Sequence, residues 1–280
     1  MREKPILAGV IGSPVAHSLS PLIHTIWAHR AQIDGYYMPV EVPASYDDFA
    51  KTMDALRTIG FAGVNVTLPH KENALRYSDE ASELASKTGA ANMLTFTDNG
   101  SYADNSDVTG FESAVKSAAP DLSVKGACLV LGAGGASRAI IIALQNLGAK
   151  SIFITNRTEQ KAAGLAEKFG LKTLAWAKRK DAVESADLVV NTTSLGMSGQ
   201  PPLDLDGAKI KPGAVIADIV YTPMETPLLK LAREVGNPGV NGLAMLMHQA
   251  APGFRAWFGG EAEVDEDLRT ALVGELERRR

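Results

Sequence analysis

Short apolar runs alternate with amphipathic stretches along most of the 280-residue chain. Apolar runs of a few residues between polar or glycine-containing turns predict buried strands, and longer segments with apolar residues three or four positions apart predict helices. Their alternation predicts an α/β protein. The predicted strands are residues 7–11, 37–42, 63–68, 92–97, 128–131, 151–155, 171–176, 188–191 and 214–220. The predicted helices are residues 21–30, 46–59, 78–87, 137–147, 158–169 and 243–257.

The predicted strands form two series of about equal size, which favours two domains. The weakest point between the two series is residues 104–110, a polar and glycine-containing stretch. The last predicted helix follows the second series, and composition does not decide which domain it joins. The sequence contains no internal repeat and no low-complexity linker.

Composition is that of an ordinary globular protein, with 45% hydrophobic and 21% charged residues. A formal net charge of -4 and the absence of like-charge blocks argue against nucleic-acid binding. The single cysteine, Cys128, excludes an intrachain disulfide and favours a reducing cytoplasm. The opening apolar stretch is too short for a signal sequence, and no stretch reaches membrane-spanning length, so we expect no membrane partner.

A glycine cluster follows the strand that begins the second series, in "CLVLGAGGASRAIIIALQNLGA". Strand, glycine turn and apolar helix together are similar to a dinucleotide-binding turn, in which backbone N–H groups and the helix N-terminus bind a pyrophosphate. Gly132 and Gly134 occupy the first two glycine positions, whereas Ser137 stands at the third.

The next strand ends in Asn156-Arg157-Thr158, where enzymes that use NAD usually place an acid for the ribose 2′-hydroxyl. Arg157 and Lys161 instead offer two cations suited to a 2′-phosphate. This favours NADP over NAD. The alternative is a solvated helix start, in which Thr158 caps the helix and Arg157 points to water.

The segment "SPVAHSLSPLIH" places several small hydroxyl groups directly after the first strand. Ser18 and Ser20 predict a pocket for a small polar anion. The alternative is a helix start, with Ser20 as N-cap and Pro21 at the first helical position. That alternative explains Ser20 and leaves Ser18 unexplained.

Three further polar clusters follow in the first series. Asn65 and Thr67 alternate onto one strand face before Lys71, which indicates the floor of a site or a solvated sheet face. A second cluster contains Asn92, alternatively an Asx turn. The third, "ADNSDVTGF", contains Asp107 and is alternatively a polar hinge between domains.

The five histidines show no zinc-binding spacing, so we assign no metal. His24 and His29 are predicted to lie on a helix surface.

Together these segments resemble the shikimate dehydrogenase family, NADP-dependent enzymes of aromatic amino acid (chorismate) biosynthesis. The resemblance covers nearly the whole chain, in the family's order. It rests on "GSPVAHSLSP", "GVNVTLPHK", "GAANML", "NSDVTGF", "LGAGGASRA", "NRT", "NTTSLGM", "DIVYTPMETPLL" and "NGLAMLMHQA".

The resemblance implies a two-domain α/β fold with a cleft between an α/β substrate domain and a Rossmann-like NADP-binding domain. The substrate domain would comprise residues 1–107 and 244–280, and the NADP domain residues 108–243. The implied reaction is the reduction of 3-dehydroshikimate to shikimate with NADPH in the cytoplasm. The implied partners are these small molecules and no nucleic acid, and the protein would be a monomer or a homodimer.

The resemblance also implies residue roles. Lys71 and Asp107 would be the catalytic pair. Ser18 and Ser20 would hydrogen-bond the substrate carboxylate. The ring hydroxyls would be bound by Asn65, Thr67, Asn92 and Gln249, with Tyr221 also reaching the substrate.

The same resemblance places the cofactor. The pyrophosphate would be bound by Gly132, Ala133, Gly134, Gly135 and Ala136. The adenosine 2′-phosphate would be bound by Asn156, Arg157, Thr158 and Lys161. Ile219 and Gly242 would flank the nicotinamide.

The sequence departs from the family pattern at Ala103, Ser106 and Ala244, of which Ser106 replaces the usual threonine. One alternative is therefore a quinate/shikimate or aminoshikimate dehydrogenase variant, against which the serine pair argues. Another is a non-catalytic nucleotide-sensing module, which would not need the Lys71–Asp107 pair. A methylene-tetrahydrofolate dehydrogenase would share only the nucleotide half.

Overall fold

The computed structural model describes residues 4–122, 124, 126–205 and 207–279. The chain divides into two compact units. The first comprises Met1–Asp107 and Met247–Arg280, and the second comprises Val108–Leu246.

The described part of the first unit contains one six-stranded sheet. Its strands are β1 (Ile6–Gly12), β2 (Gly35–Glu41), β3 (Phe61–Val66), β4 (Glu80–Ala81), β5 (Met93–Thr97) and β6 (Gly100–Asp104). The strand order is β2-β1-β3-β5-β6-β4. β1 pairs in parallel with β2 and β3, whereas β5 is antiparallel to both β3 and β6.

Helices cover this sheet because their apolar side chains recur at helical spacing. In α2, Phe49, Met53 and Leu56 are buried and belong to the same core as Val64 and Leu94 of the sheet. The helices that lie wholly in this unit are α1 (Ser20–Arg30), α2 (Tyr46–Thr58), α3 (Lys71–Tyr77), α4 (Glu83–Thr88) and α11 (Glu266–Arg278).

The second unit is built on a six-stranded parallel sheet. Its strands are β7 (Ala127–Leu131), β8 (Ser151–Thr155), β9 (Lys172–Thr173), β10 (Leu188–Asn191), β11 (Val215–Asp218) and β12 (Gly239–Asn241). The order is β12-β11-β10-β7-β8-β9. Every residue of β10 and β11 is buried, as expected for parallel strands covered on both faces.

The helices of the second unit are α6 (Gly135–Asn146), α7 (Glu159–Phe169), α8 (Arg179–Val183) and α9 (Pro227–Glu234), with a 3-10 turn at Trp176–Lys178. Both divisions between the units fall inside helices, α5 (Ser106–Ala118) and α10 (Gly242–Phe258). No helix in the described ranges is long and apolar enough to cross a membrane.

The predicted α/β class is confirmed, and several element predictions were wrong in detail. The division between the units at Asp107 and Val108 lies inside the predicted stretch 104–110, but this stretch is largely helical, because α5 begins at Ser106. The predicted helix 78–87 is interrupted by β4 and starts only at Glu83, where Ser82 caps it. The predicted strand 171–176 is reduced to Lys172–Thr173, and a 3-10 turn begins at Trp176.

Candidate active site

One edge of the first sheet gathers the four polar clusters. β1, β3 and β6 all end at this edge, and the antiparallel β5 begins there. The strand register places Asn65 opposite Met93, and Met93 opposite Asp104. The chain turns from one side of β1 to the other between β2 and β3, and ligands commonly bind at such a switch point in α/β sheets.

Lys71 and Asp107 form a close ion pair at this edge. Lys71 is the first residue of α3 and Asp107 lies in the first turn of α5. The Lys71 Nζ–Asp107 Oδ2 distance is 2.5 Å, and the two side chains are 19% and 10% exposed. The other carboxylate oxygen, Oδ1, accepts a hydrogen bond from Asn92 Nδ2 at 2.9 Å. Both oxygens are therefore held, so the ammonium has a defined position.

His70, to which the sequence analysis gave no role, anchors the turn that carries Lys71. Its Nε2 lies 2.9 Å from the Val42 carbonyl oxygen, and its Nδ1 lies 3.1 Å from Asn73 Nδ2. A neutral ring that donates from Nε2 and accepts at Nδ1 satisfies both contacts. The ring also stacks on Phe49, with centroids 5.0 Å apart. These contacts fix the start of α3.

Asn92 links this ion pair to helix α10. Its Nδ2 also lies 3.3 Å from Gln249 Oε1, and its Oδ1 accepts from the Ser106 backbone N–H at 2.7 Å. The Ser106 hydroxyl donates to the Gln249 carbonyl oxygen at 2.8 Å. Ser106 thus supplies the hydroxyl that the family's usual threonine would supply. The structure brings the predicted residues Lys71, Asn92, Asp107 and Gln249 together.

Asn65 and Thr67 differ in burial. Asn65 is buried in β3, and its Nδ2 donates to the Asn92 carbonyl oxygen at 3.2 Å. Thr67 directly follows the end of β3 and is half-buried, and its backbone N–H donates to the Ile11 carbonyl oxygen of β1 at 2.8 Å. Asn65 Oδ1 accepts from the hydroxyl of Tyr37 at 2.8 Å. Tyr37 was missed because its partner lies on another strand.

The serine segment also differs from its prediction. Leu19 occupies the N-cap position of α1, Ser20 is the first helical residue, and no side chain caps this helix. Ser20 is therefore not an N-cap. Its backbone N–H donates to the Ser18 hydroxyl at 3.2 Å, and its own side chain is buried. The Ser18 hydroxyl thus accepts from the first residue of the helix, whereas the N-cap alternative does not explain the Ser20 hydroxyl.

His24 is buried rather than on the helix surface. It is 0% exposed and stacks on Tyr37 with ring centroids 3.8 Å apart. Burial lowers the pKa of His24 from 6.5 to about 3, so the ring is neutral. His29 is exposed, as predicted.

The glycine turn of the second unit follows β7, next to β10, at the switch point of that sheet. Gly132 has a φ of 110°, and a Cβ there would lie 2.7 Å from Thr192 Oγ1. Ser137, at the third glycine position, accepts from the Gly134 N–H at 3.1 Å and lies 2.7 Å from Thr192 Oγ1. Ser137 therefore stabilises the turn through its side-chain hydrogen bonds.

The backbone amides of this turn are unequally available. The N–H groups of Gly132, Ala133 and Gly134 donate within the chain. Those of Gly135 and Ala136, at the start of α6, have no acceptor among the described residues. Free amides at a helix N-terminus bind anions, so these two are the groups that the turn offers to a phosphate.

The predicted 2′-phosphate segment follows β8. Asn156 Oδ1 accepts from the Ala133 N–H at 3.3 Å, which ties the segment to the glycine turn. Arg157, Thr158 and Lys161 are exposed. Thr158 stands at the N-cap position of α7, but its side chain makes no capping bond. The arrangement presents two cations at one surface beside a helix start.

Asp218 organises the loop after β11 and was not singled out from the sequence. Its buried carboxylate accepts hydrogen bonds from Asn191 Nδ2 at 3.0 Å, the Thr226 hydroxyl at 2.7 Å and the Val220 N–H at 3.1 Å. Burial raises the pKa of Asp218 to about 6, and these bonds oppose the rise.

The loop that Asp218 organises carries Ile219 and the half-buried Tyr221. A Cβ on Gly242 would lie 2.0 Å from the Ile219 carbonyl oxygen, so these two predicted residues are adjacent. Within the described residues, no group of three or more His, Cys, Asp or Glu side chains is arranged to hold a metal ion.

Known proteins are similar to this chain over nearly its whole length. Residues 10–94 match the family model of the shikimate dehydrogenase substrate binding domain, and residues 112–198 that of shikimate / quinate 5-dehydrogenase. A relative from Acidiphilium cryptum, named shikimate dehydrogenase (NADP(+)), is 49% identical over 270 residues, which cover 96% of each chain. The chain belongs to the shikimate dehydrogenase family. The resemblance inferred from the motifs is thereby confirmed.

Solved structures of the shikimate dehydrogenase family agree with this assignment. The shikimate 5-dehydrogenase from Thermus thermophilus, in complex with NADP(H) and shikimate, is 34% identical, with a TM-score of 0.82 over 98% of this chain and 99% of that one. The quinate dehydrogenase from Corynebacterium glutamicum, in complex with NAD, is 29% identical, with a TM-score of 0.90 over 97% of this chain and 100% of that one.

Proposed function

We infer that this protein is an NADP-dependent shikimate dehydrogenase, which reduces 3-dehydroshikimate to shikimate with NADPH. The observation that carries this function is the partly buried Lys71–Asp107 pair, fixed by Asn92 within a network of amide and hydroxyl groups. A pair of this kind is what a ketone reductase needs and a nucleotide sensor does not. The Acidiphilium cryptum relative is named for NADP(+), and the Thermus thermophilus structure is a complex with NADP(H).

Reduction of a ketone requires a hydride at the carbonyl carbon and a proton at its oxygen. NADPH, when bound, supplies the hydride and leaves as NADP⁺. The chain must supply the proton and stabilise negative charge developing on the oxygen. We assign both tasks to the Lys71 ammonium, which donates its proton to that oxygen. In the reverse direction the neutral amine accepts the proton from the shikimate hydroxyl.

Asp107 keeps Lys71 in place, because its Oδ2 lies 2.5 Å from the Lys71 Nζ. Asn92 holds the second carboxylate oxygen, which prevents Asp107 from rotating away when Lys71 transfers its proton. The network therefore supports the pair in both protonation states.

Substrate recognition is proposed for residues around this pair. Ser18 and Ser20 would donate to the substrate carboxylate, since uncharged hydroxyls suit an anion that must enter and leave. The ring hydroxyls are assigned to Asn65, Thr67, Asn92 and Gln249. Tyr221, on the loop after β11, is also assigned to the substrate.

The second unit fits NADP. The free amides of Gly135 and Ala136 suit the pyrophosphate, within the turn formed by residues 132–136. Arg157 and Lys161, with Asn156 and Thr158, would hold the 2′-phosphate, for which guanidinium geometry is suitable. The adjacent Ile219 and Gly242 are assigned to the nicotinamide. We accordingly assign Val108–Leu246 to the cofactor and the other unit to the substrate. For an enzyme of this biosynthetic role we propose the cytoplasm as the location.

A spectrophotometric assay tests the function directly. Formation of the reduced cofactor, NADPH or NADH, is followed at 340 nm with shikimate and with quinate, each with NADP and with NAD. We expect the highest kcat/KM with shikimate and NADP. A higher value with quinate and NAD would favour quinate dehydrogenase, the activity named for one structural relative. No reduction with either substrate would refute the dehydrogenase function.

A further inference from the structure

We propose that Tyr37 is a positioning residue of the substrate site, whose buried hydroxyl orients the Asn65 amide. This inference rests on the proposed function, because Asn65 is a substrate residue only in a shikimate dehydrogenase. Tyr37 itself is 8% exposed and lies on β2.

The hydroxyl of Tyr37 has a defined partner among the residues assigned to the substrate. It donates to Asn65 Oδ1 at 2.8 Å. Both residues are buried. Burial raises the pKa of Tyr37 well above its usual value, which keeps the phenol protonated as a hydrogen-bond donor.

The Tyr37–Asn65 hydrogen bond decides which end of the Asn65 amide is the donor. The Oδ1 end receives the Tyr37 hydroxyl, and the Nδ2 end donates one hydrogen to the Asn92 carbonyl oxygen at 3.2 Å. The second Nδ2 hydrogen is the one left for a ligand. Without the Tyr37 hydroxyl, the buried Oδ1 would lose its donor, and only the longer bond from Nδ2 to the Asn92 carbonyl oxygen would orient the amide.

The face of the Tyr37 ring stacks on the His24 ring. The two rings are nearly parallel, at 11°, with centroids 3.8 Å apart. Neither ring nitrogen of His24 has a hydrogen-bond partner among the described residues, although both are buried. Burying an unpartnered imidazole costs stability. The stacking of His24 on the Tyr37 ring is a packing contact that offsets part of this cost. His24 lies one helical turn after Ser20 on α1.

The test replaces Tyr37 with phenylalanine, which keeps the stacked ring and removes only the hydroxyl. We expect Tyr37→Phe to raise the KM for shikimate about tenfold, the effect of leaving one buried acceptor unsatisfied. We expect kcat to stay within about threefold and the KM for NADP to be unchanged, because the Lys71–Asp107 pair and the second unit are untouched. Tyr36→Phe is the matched control, since Tyr36 is the neighbouring residue on β2 and is 57% exposed.

An unchanged KM for shikimate in folded Tyr37→Phe would overturn the proposal. So would equal losses in both KM values and in kcat, which would indicate a general structural defect. If Tyr37→Phe does not fold, His24→Leu carries the test, because it removes the unpartnered imidazole and loosens the ring while leaving the hydroxyl. We expect that variant to raise the KM for shikimate by about two- to fivefold, and an unchanged KM would again overturn the proposal. Wild-type activity measured alongside separates this failure from failure of the proposed function, in which the wild type would not oxidise shikimate.

Discussion

The two units arrange their proposed site residues in opposite ways. In the first unit, Lys71, Asn92 and Asp107 are largely withdrawn from solvent and hydrogen-bonded to one another. In the second unit, Arg157 and Lys161 are exposed, and neither side chain has an ion-pair partner among the residues described. The side chains assigned to the chemistry are already held in place by hydrogen bonds, whereas the cations assigned to cofactor selection are exposed to solvent.

This contrast follows from the two tasks. A proton donor must lie within hydrogen-bond distance of one oxygen as charge develops there, and a preorganised group does so without reorganisation. A doubly charged phosphate at a surface can be attracted by flexible cations that adapt to it. We therefore expect substitutions of the Lys71–Asp107 pair to act mainly on kcat, and those of Arg157 and Lys161 to act mainly on cofactor affinity.

The largest expected effect comes from Lys71→Ala. We predict a loss of roughly 10²–10⁴-fold in kcat, the usual contribution of a general acid, with the KM for shikimate changed much less. Steady-state kinetics in the direction of shikimate oxidation measure both constants. Lys87→Ala is the control, because Lys87 makes only an exposed ion pair with Glu83 in the same unit. Full turnover by Lys71→Ala would exclude Lys71 from the chemistry.

Arg157→Ala should act on the cofactor alone. We predict a rise of about 10- to 100-fold in the KM for NADP, from loss of charge-assisted hydrogen bonds to the 2′-phosphate, with a small effect on NAD. The ratio of kcat/KM values for the two cofactors reports the change. Lys150→Ala, an exposed cation just before β8, serves as the matched control. An unchanged preference for NADP would mean that other groups hold the phosphate.

His24 should make the first unit sensitive to acid. Its pKa lies near 3 in the fold and near 6.5 when unfolded, so only the unfolded chain takes up a proton between these values. Stability is therefore lost as pH falls below 6.5, by about 2 kcal/mol between pH 7 and pH 5. His24→Phe, which keeps a ring against Tyr37, should lose this dependence. Urea unfolding at both pH values measures it, and equal slopes for variant and wild type would contradict the assignment.

Asp218 should make the stability of the second unit depend on pH in the opposite direction and to a smaller extent. Its pKa is raised from 3.8 to about 6, so the folded state holds the proton more tightly than the unfolded state does. Stability is lost as pH rises through this range, by about 1 kcal/mol between pH 5 and pH 7. Asp218→Asn cannot ionise and should lose the effect. If the stability of the variant and of the wild type fell equally over this range, Asp218 would not be the titrating group.

The sequence predicted the positions of the candidate site residues more accurately where residues close in the chain supply their contacts. The glycine turn and the Asn156–Thr158 segment are local, and their strand–turn–helix pattern predicted where they lie. His24 was placed on the wrong face of α1, because helical spacing alone does not reveal that aromatic side chains such as Trp257 enclose it. Tyr37 was missed since its partner Asn65 is 28 residues away on another strand.

The start of α5 shows the same limit. For the segment with Asn105, Ser106 and Asp107, a polar hinge between domains was the alternative to a site, yet all three residues are buried. Their polar groups are satisfied by residues that are distant in sequence, including Asn92 and Gln249. A polar stretch is compatible with burial only when such partners exist, and a single sequence does not show them.

A double-mutant cycle on Lys71 and Asp107 tests most directly whether the pair acts as one proton-transferring unit. The kcat of Lys71→Ala, Asp107→Ala and the double variant is measured with saturating shikimate and NADP. We predict that the double variant is no slower than the slower single variant, because removal of either residue already abolishes the unit. A double variant whose loss equals the product of the two single losses would contradict this account, since the residues would then act independently.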